Sequence, residues 1–527
     1  MRKLAANLGL DIGEKGGIAI GILTIYVWIL LTLQSISVDL PISIVFEIII
    51  GLISFILSFI TIGICGKGIH GFFVGENGSS AKAWGWASFI FFFLTSFICL
   101  LAFYPGGISD DTLNQFEQAM GLRPYSNWHP ALHTFLFFTL PLNAGPYIGL
   151  VVFYQILFYS AAMAYLIYSL VNNGIRKWAC ALFVIYMVVN PFILTYLMFP
   201  WKDIAFMNFA VWGFGCYVQI FGTNGEWLER KVNLVIFAAV LAITYYMRHN
   251  ASLFVIPLLV LVIIYILKNK KMRLALAGVF VTFVLFIKVL YMIVGVENAP
   301  GRTVEVIGMP VTIWCNVMKE NPDALSDSTR DVMLSLASLE DYQSRYETGS
   351  FNGFKTSGYI DLDKIDTISL IEAAKYTLEC FIYSPKESWE ALAKLTDVVW
   401  DIDGKCMPCI PIIVENDYGF SENYNEYAYN LVMTIILFCT DGIGKIIFGS
   451  FGFIMLAELV IGLGLLAWGR KGIIHILPVF CYNFVTMLLL SGEDYRLFLI
   501  TIPLAAPSIF MMLKDRKTFK TKVGAKE

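Results

Sequence analysis

Twelve runs of apolar residues, each near the length of a membrane span, constrain this chain more than any motif it carries. A bilayer core of roughly 30 Å takes about 20 apolar residues as a helix. The runs lie at residues 17–37, 43–65, 84–103, 146–170, 178–199, 204–222, 233–248, 251–267, 272–295, 444–468, 472–490 and 496–513. The expected fold is therefore an all-α polytopic membrane protein of about 12 transmembrane helices. Hydrophobic residues at 58%, charges at 15% and a mean hydropathy of +0.70 exclude an ordinary soluble domain. Two runs, 233–248 and 251–267, are short, and the segment 131–142 is too short to span. Met1-Arg2-Lys3 leads through a mixed polar stretch to a first run long enough to span, so no cleaved signal is expected.

Lysines and arginines orient these helices. With the N-terminus in the cytoplasm, the inner segments hold 21 of them and the short outer loops hold four: Arg123, Lys202, Arg248 and Arg496. Both termini are then cytoplasmic, and residues 514–527 form a basic inner tail. Residues 1–295 make an N-terminal membrane module and 431–513 the C-terminal membrane helices. Between them, 296–430 is one large outer segment with 23 acidic and 10 basic side chains. Amphipathic stretches near 323–342 and 370–396 point to a small, mostly helical extracytoplasmic domain, because a structureless loop of that length is unusual. It reads as a cap over an outer cavity.

The polar clusters that interrupt the apolar pattern all fall on the outer side. They are Asp110-Asp111, Trp128-His129-Pro130, Trp201-Lys202-Asp203, Arg248-His249-Asn250 and Gly492-Glu493-Asp494-Tyr495-Arg496. Carboxylates and spaced cations around one cavity suit a phosphate-bearing headgroup beside a proton acceptor. Individually, the basic residues could instead pair with neighbours such as Asp203 or Glu493. His129 and His133 share a helical face and, with Asp110, Asp111 and His249, could hold a hard divalent ion (Mg or Mn) on carboxylate oxygen. His129 could equally serve as a hydrogen-bonding residue at a helix start, with Pro130 in the first turn.

Ten cysteines form no evident disulfide framework. Cys65, Cys99, Cys180, Cys216 and Cys481 read as small core residues. Cys315, Cys380, Cys406 and Cys409 lie in the outer segment as a structural disulfide or idle thiols. Of the charges inside spans, Glu47 and Lys288 reach toward helix ends. Glu458 sits near the middle of its run and is expected to make an interhelical hydrogen bond or to pair with Lys288.

The stretch Tyr104-Pro105-Gly106 with Asp111 and Gln115, followed by Trp128-His129-Pro130, resembles the first outer loop of an uncharacterised bacterial multi-pass family placed near the GT-C class of integral membrane glycosyltransferases. The specific likeness covers residues 104–133, with looser support from Lys202-Asp203, Arg248-His249-Asn250 and Tyr495-Arg496. In architecture the chain is similar to that class, although two spans precede the acidic loop instead of one.

The resemblance implies an enzyme that moves a hexosyl or pentosyl unit from a polyprenyl-phosphate donor to a glycan, lipid or protein acceptor of the cell envelope. The reaction would take place on the outer face of the cytoplasmic membrane, with loop 104–133 catalytic. Asp111 holds the motif position and is the expected base, with Asp110 its partner or substitute. Lys202, Arg248 and Arg496 are the expected phosphate contacts. His129, Gln115, Asp203 and Glu493 complete the expected substrate-binding set. No nucleic acid partner is expected. An envelope polysaccharide polymerase or ligase would use a pyrophosphate-linked carrier and more outer arginines. A transporter or flippase of lipid-linked substrates would show paired repeats and broken helices.

Overall fold

The computed structural model describes residues 12–38, 40, 43–65, 73–75, 80–298, 303–403, 407–492 and 494–518. Among them the chain is all-helical, with isolated bridges in place of sheets. All twelve apolar runs are helical, but seven are long and apolar enough to cross a membrane: Gly16–Ser37, Ile44–Ile64, Ala81–Ala102, Ile148–Asn172, Lys202–Gly222, Lys270–Val294 and Tyr495–Lys514. An eighth is possible if Glu426–Thr440 and Ile443–Gly449, bent by 101°, count as one broken span.

The other runs fall short for local reasons. The run at 178–199 breaks at Asn190, whose side chain accepts from the backbone N–H groups of Phe192 and Ile193 and starts a new helix with Pro191 in its first turn. That at 444–468 breaks at Ser450, which caps Phe451–Ala467 by accepting from Phe453 N. The run at 251–267 is a single helix, Ser252–Ile266, that carries Pro257 in its interior and closes in a π-helical turn over Leu261–Ile266, too short to span. A count of apolar residues passes over such caps, so seven of the twelve runs are full-length spans; the bent pair starting at Glu426 lies mostly outside those runs.

Burial sorts the helices into an inner and an outer set. Lys202–Gly222 is 94% buried over its apolar window and forms the centre of the main core. Lys270–Val294 is only 11% buried and Ile44–Ile64 only 22%. Their outward faces are isoleucine, leucine and phenylalanine, a surface that water would not tolerate and that acyl chains accept. The chain is built as a membrane protein.

Residues 303–403 carry a second hydrophobic core centred on Trp314, Met318, Tyr342, Tyr346 and Phe354. Its last helix, Pro385–Trp400, crosses into the main core through Leu395, Val398 and Val399. Of the two readings of the outer-segment cysteines, Cys315, Cys380 and Cys409 are free thiols, and Cys406 lies outside the described residues. Of the two partners expected for Glu458, Lys288 is exposed on its own helix and does not pair with it, whereas the Ser508 hydroxyl of Thr501–Lys514 lies within reach of the carboxyl.

Candidate functional site

Two adjacent glycines seat the acidic loop. Gly106 has φ +113°, and a Cβ there would lie 2.6 Å from Val152 Cγ2 and 2.7 Å from Met198 O. A Cβ on Gly107 would enter the Phe199 ring. Only residues without a side chain let this backbone pass so close. Gly107 N–H then donates to Met198 O (3.0 Å), Ile108 N–H to Ile412 O (2.9 Å) and Val414 N–H to Ile108 O (3.0 Å).

Ser109 caps the helix Asp110–Ala119 by accepting from Thr112 N. It also accepts from Trp201 Nε1 at 3.0 Å, which ties the helix to the start of Lys202–Gly222. Both carboxylates sit in the first turn, where the helix dipole favours negative charge.

From this anchoring the two aspartates part company. Asp110 is exposed and lines neither cavity described below. Asp111 faces a cavity of about 600 Å³, lined also by Asn127, Trp128, His129, Lys202, His249, Glu305, Lys355 and Arg496. Arg496, 385 positions away, brings Nη1 within 3.4 Å of Asp111 Oδ2. The same guanidinium donates through Nε to Asp494 at 2.7 Å and lies over the Trp201 ring. His129 Nε2 stands 3.7 Å from Asp111 Oδ1, and Lys202 Nζ stands 3.3 Å from His129 Nδ1. An ammonium can only donate, so Nδ1 accepts and the ring proton sits on Nε2, toward the carboxylate.

Burial pushes His129 down to about 4, with Lys202 and Arg496 acting in the same direction and Asp111 opposing. His129 is therefore neutral at physiological pH. As pH falls below the ordinary histidine value, the unfolded chain takes up a proton that the folded site refuses until about pH 4. Stability is lost across that window. The thermal midpoint of wild type should fall more steeply from about pH 7 to about pH 4.5 than that of His129→Gln. Parallel curves would show that His129 titrates freely.

A second cavity of about 310 Å³ adjoins the first and shares Lys202, His249, Glu305, Lys355 and Arg496. Arg248, Asn250, Asp494, Leu489 and Leu490 are among the residues of its wall. The helix Phe351–Thr356 reaches both cavities from the second core. Its Lys355 donates to Glu305 at 2.9 Å on the cavity wall, and its Asn352 accepts from Ser491 Oγ at 2.7 Å. The 303–403 domain thus supplies part of the site.

Of the expected site residues, Asp111, His129, Lys202 and Arg496 meet around the larger cavity. Three others hold the frame instead. Gln115 is buried, donates to the backbone carbonyl of Asp111 at 3.3 Å and accepts from His133 Nδ1 at 2.6 Å. Asp203 and Arg248 form an ion pair with side chains 1% and 9% exposed, so most of the arginine's charge is already committed. Glu493 lies outside the described residues. Among the described residues no group of three or more histidine, cysteine, aspartate or glutamate side chains is placed to hold a metal ion.

Sequence reasoning missed Glu305 and Lys355. They sit among many other charges of the acidic segment, and nothing in their spacing marks them.

A family model described as a family of unknown function (DUF6020) matches residues 127–367, which is less than half of the chain. The match takes in Asn127, Trp128, His129, Lys202, His249, Glu305 and Lys355 from the wall of the larger cavity, but neither Asp111 nor Arg496. No curated protein and no solved structure matches the chain.

Proposed function

We propose that this chain is a membrane glycosyltransferase of the GT-C kind, moving a sugar from a polyprenyl-phosphate carrier to an envelope acceptor. The observation that carries the reading is Asp111, a partly exposed carboxylate on the cavity wall beside one unpaired cation. In this mechanism the acceptor hydroxyl gives its proton to Asp111 as its oxygen attacks the anomeric carbon. The bond from that carbon to the phosphate oxygen breaks, and the lipid phosphate leaves as an anion. Charge stabilisation, more than protonation, is what such a leaving group needs. Arg496 and His129 hold the Asp111 carboxylate in place, and His129 in its neutral form adds no positive charge.

Charge pairing singles out Lys202 as the phosphate contact. Four cations line the two cavities: Lys202, Arg248, Lys355 and Arg496. Arg248 is paired with Asp203, Lys355 with Glu305, and Arg496 with Asp494 and Asp111. Among the described residues Lys202 alone has no carboxylate in salt-bridge range; its partner is the His129 ring. The four carboxylates balance the four cations overall, so Lys202 is the one positive group free to meet a phosphate oxygen, and a single such group suits a phosphodiester better than the pyrophosphate of the polymerase or ligase reading.

The test is turnover of purified protein in nanodiscs with a panel of radiolabelled polyprenyl-phosphate sugars, following release of the lipid phosphate. Lys202→Gln should weaken donor binding by about 10- to 100-fold, the value of one charge-assisted hydrogen bond of roughly 1.5–3 kcal/mol. Unchanged binding in that variant would move the phosphate away from Lys202. A folded wild type that turns over none of the panel would overturn the reading.

A further inference from the structure

The bundle formed by Gly16–Ser37, Ile44–Cys65, Phe451–Ala467 and Thr501–Lys514 encloses polar groups that the proposed chemistry does not use. Glu458, near the middle of Phe451–Ala467, is fully buried, and neither carboxyl oxygen makes a hydrogen bond of good geometry among the described residues. The Ser508 hydroxyl is close enough to interact with the carboxyl, and the Tyr26 hydroxyl lies near it with no other hydrogen-bond partner. Ser54 and Ser58, buried one helical turn apart on Ile44–Cys65, add two more orphaned hydroxyls to the same bundle.

Among the described residues no cation answers the carboxyl. Charged side chains on the helices packed against Phe451–Ala467 are engaged elsewhere: Glu47 with Trp28 and Thr32, His475 with Asp515, Lys445 with Asp403, Lys394 of Pro385–Trp400 with Glu390, and Lys514 with the Asn173 carbonyl, while Lys386 is exposed. Tyr26 is the titratable group that senses Glu458. An ionised carboxylate in such surroundings is far more costly than a neutral one.

We propose that Glu458, with Ser508 and Tyr26, is a proton-binding site inside the membrane bundle, and that loss of its proton weakens the seating of the hairpin Gly16–Ser37/Ile44–Cys65. A proton fits better than a metal ion. Apart from the one carbonyl that Pro507 frees on Thr501–Lys514, the helices at the site spend their carbonyls on internal hydrogen bonds, which leaves too few oxygens to complete a coordination shell. A neutral carboxyl needs only a donor or acceptor within reach, and the hydroxyls supply both. The hairpin packs on Phe451–Ala467, and its outward faces meet lipid. Water reaching an ionised Glu458 would have to part those helices.

A membrane-soluble carbodiimide tests this directly. With N,N′-dicyclohexylcarbodiimide the neutral carboxyl adds across one C=N bond, its oxygen joining the central carbon and its proton passing to nitrogen. The acyl group then shifts from oxygen to nitrogen to give a stable acylurea. Mass spectrometry of the full-length protein in nanodiscs should find this adduct on Glu458 at pH 7, with no protection by sodium or potassium chloride. A water-soluble carbodiimide should modify surface carboxylates and leave Glu458 intact.

Thermal unfolding supplies a second readout. A folded state that keeps a proton the unfolded chain has lost becomes less stable as pH rises. The midpoint advantage of wild type over Glu458→Gln should therefore shrink from about pH 5 to about pH 8. Protection by sodium would show a metal site and overturn the proposal. So would an unlabelled Glu458 together with identical pH slopes in the two proteins.

Discussion

Asp111→Asn should lower turnover by about 10²- to 10⁴-fold, the range for a positioned general base, while binding of the lipid-phosphate donor stays within a few-fold of wild type. That loss is roughly 3–5 kcal/mol of barrier. Asparagine keeps the size of aspartate and can still meet Arg496 and His129, so the change removes the proton acceptor more than the shape. Asp110→Asn is the internal control. Its carboxylate is exposed and outside both cavity walls, so turnover should stay within about two-fold of wild type. The measurement is release of radiolabelled polyprenyl phosphate under single-turnover conditions, paired with equilibrium binding of the same donor. Equal losses in the two variants would remove Asp111 from the role of base. Lost binding in Asp111→Asn alone would make it a binding residue.

The second large effect concerns a carboxylate of opposite character. Asp203→Ala should destabilise the protein by about 3–5 kcal/mol, because it strands the Arg248 guanidinium in a buried site with no countercharge. Asp203 is one position along from Lys202, yet its side chain is almost wholly enclosed against Arg248. The paired replacement Asp203→Leu with Arg248→Met removes both charges and should recover most of that loss, since a buried ion pair adds little net stability over apolar side chains of similar volume. Thermal and denaturant unfolding in detergent would measure both. A single substitution no more harmful than the double would mean that water reaches the pair. Asp111 and Asp203 thus predict opposite signatures: lost chemistry with an intact fold, and a lost fold.

Much of the site was legible because its residue types are expensive in the places they occupy. Four cations in short loops between apolar runs, and an aspartate pair at a span end, are worth keeping only if something uses or pairs them. Which of those two applies could not be read. Lys202 and Arg248 look alike as cations at the ends of apolar runs, and tertiary packing gives one a neutral imidazole and the other a buried carboxylate. Asp110 and Asp111 are neighbours in one helical turn. About 100° of rotation between them puts one in the cavity wall and the other in solvent. Gln115 looked like a substrate contact at one turn's spacing, but the fold turns it inward to fasten the Asp111 backbone to His133.

By itself the sequence determined the class of molecule. Apolar runs of membrane length, with charge excluded from them, allow helices in lipid and little else, and that requirement is local to each run. Local caps decided which runs became full spans, because Asn190 and Ser450 end a helix wherever a side chain can satisfy its backbone, whereas tertiary structure decided which helices sit inside the bundle. It also decided the site's membership. Glu305 and Lys355 join Asp111 and Arg496 only because a separate hydrophobic core carries the helices Thr303–Val306 and Phe351–Thr356 to the cavity edge. Long-range packing of that kind leaves no periodicity in the chain, and charge pairing depends on distances that only the folded helices set.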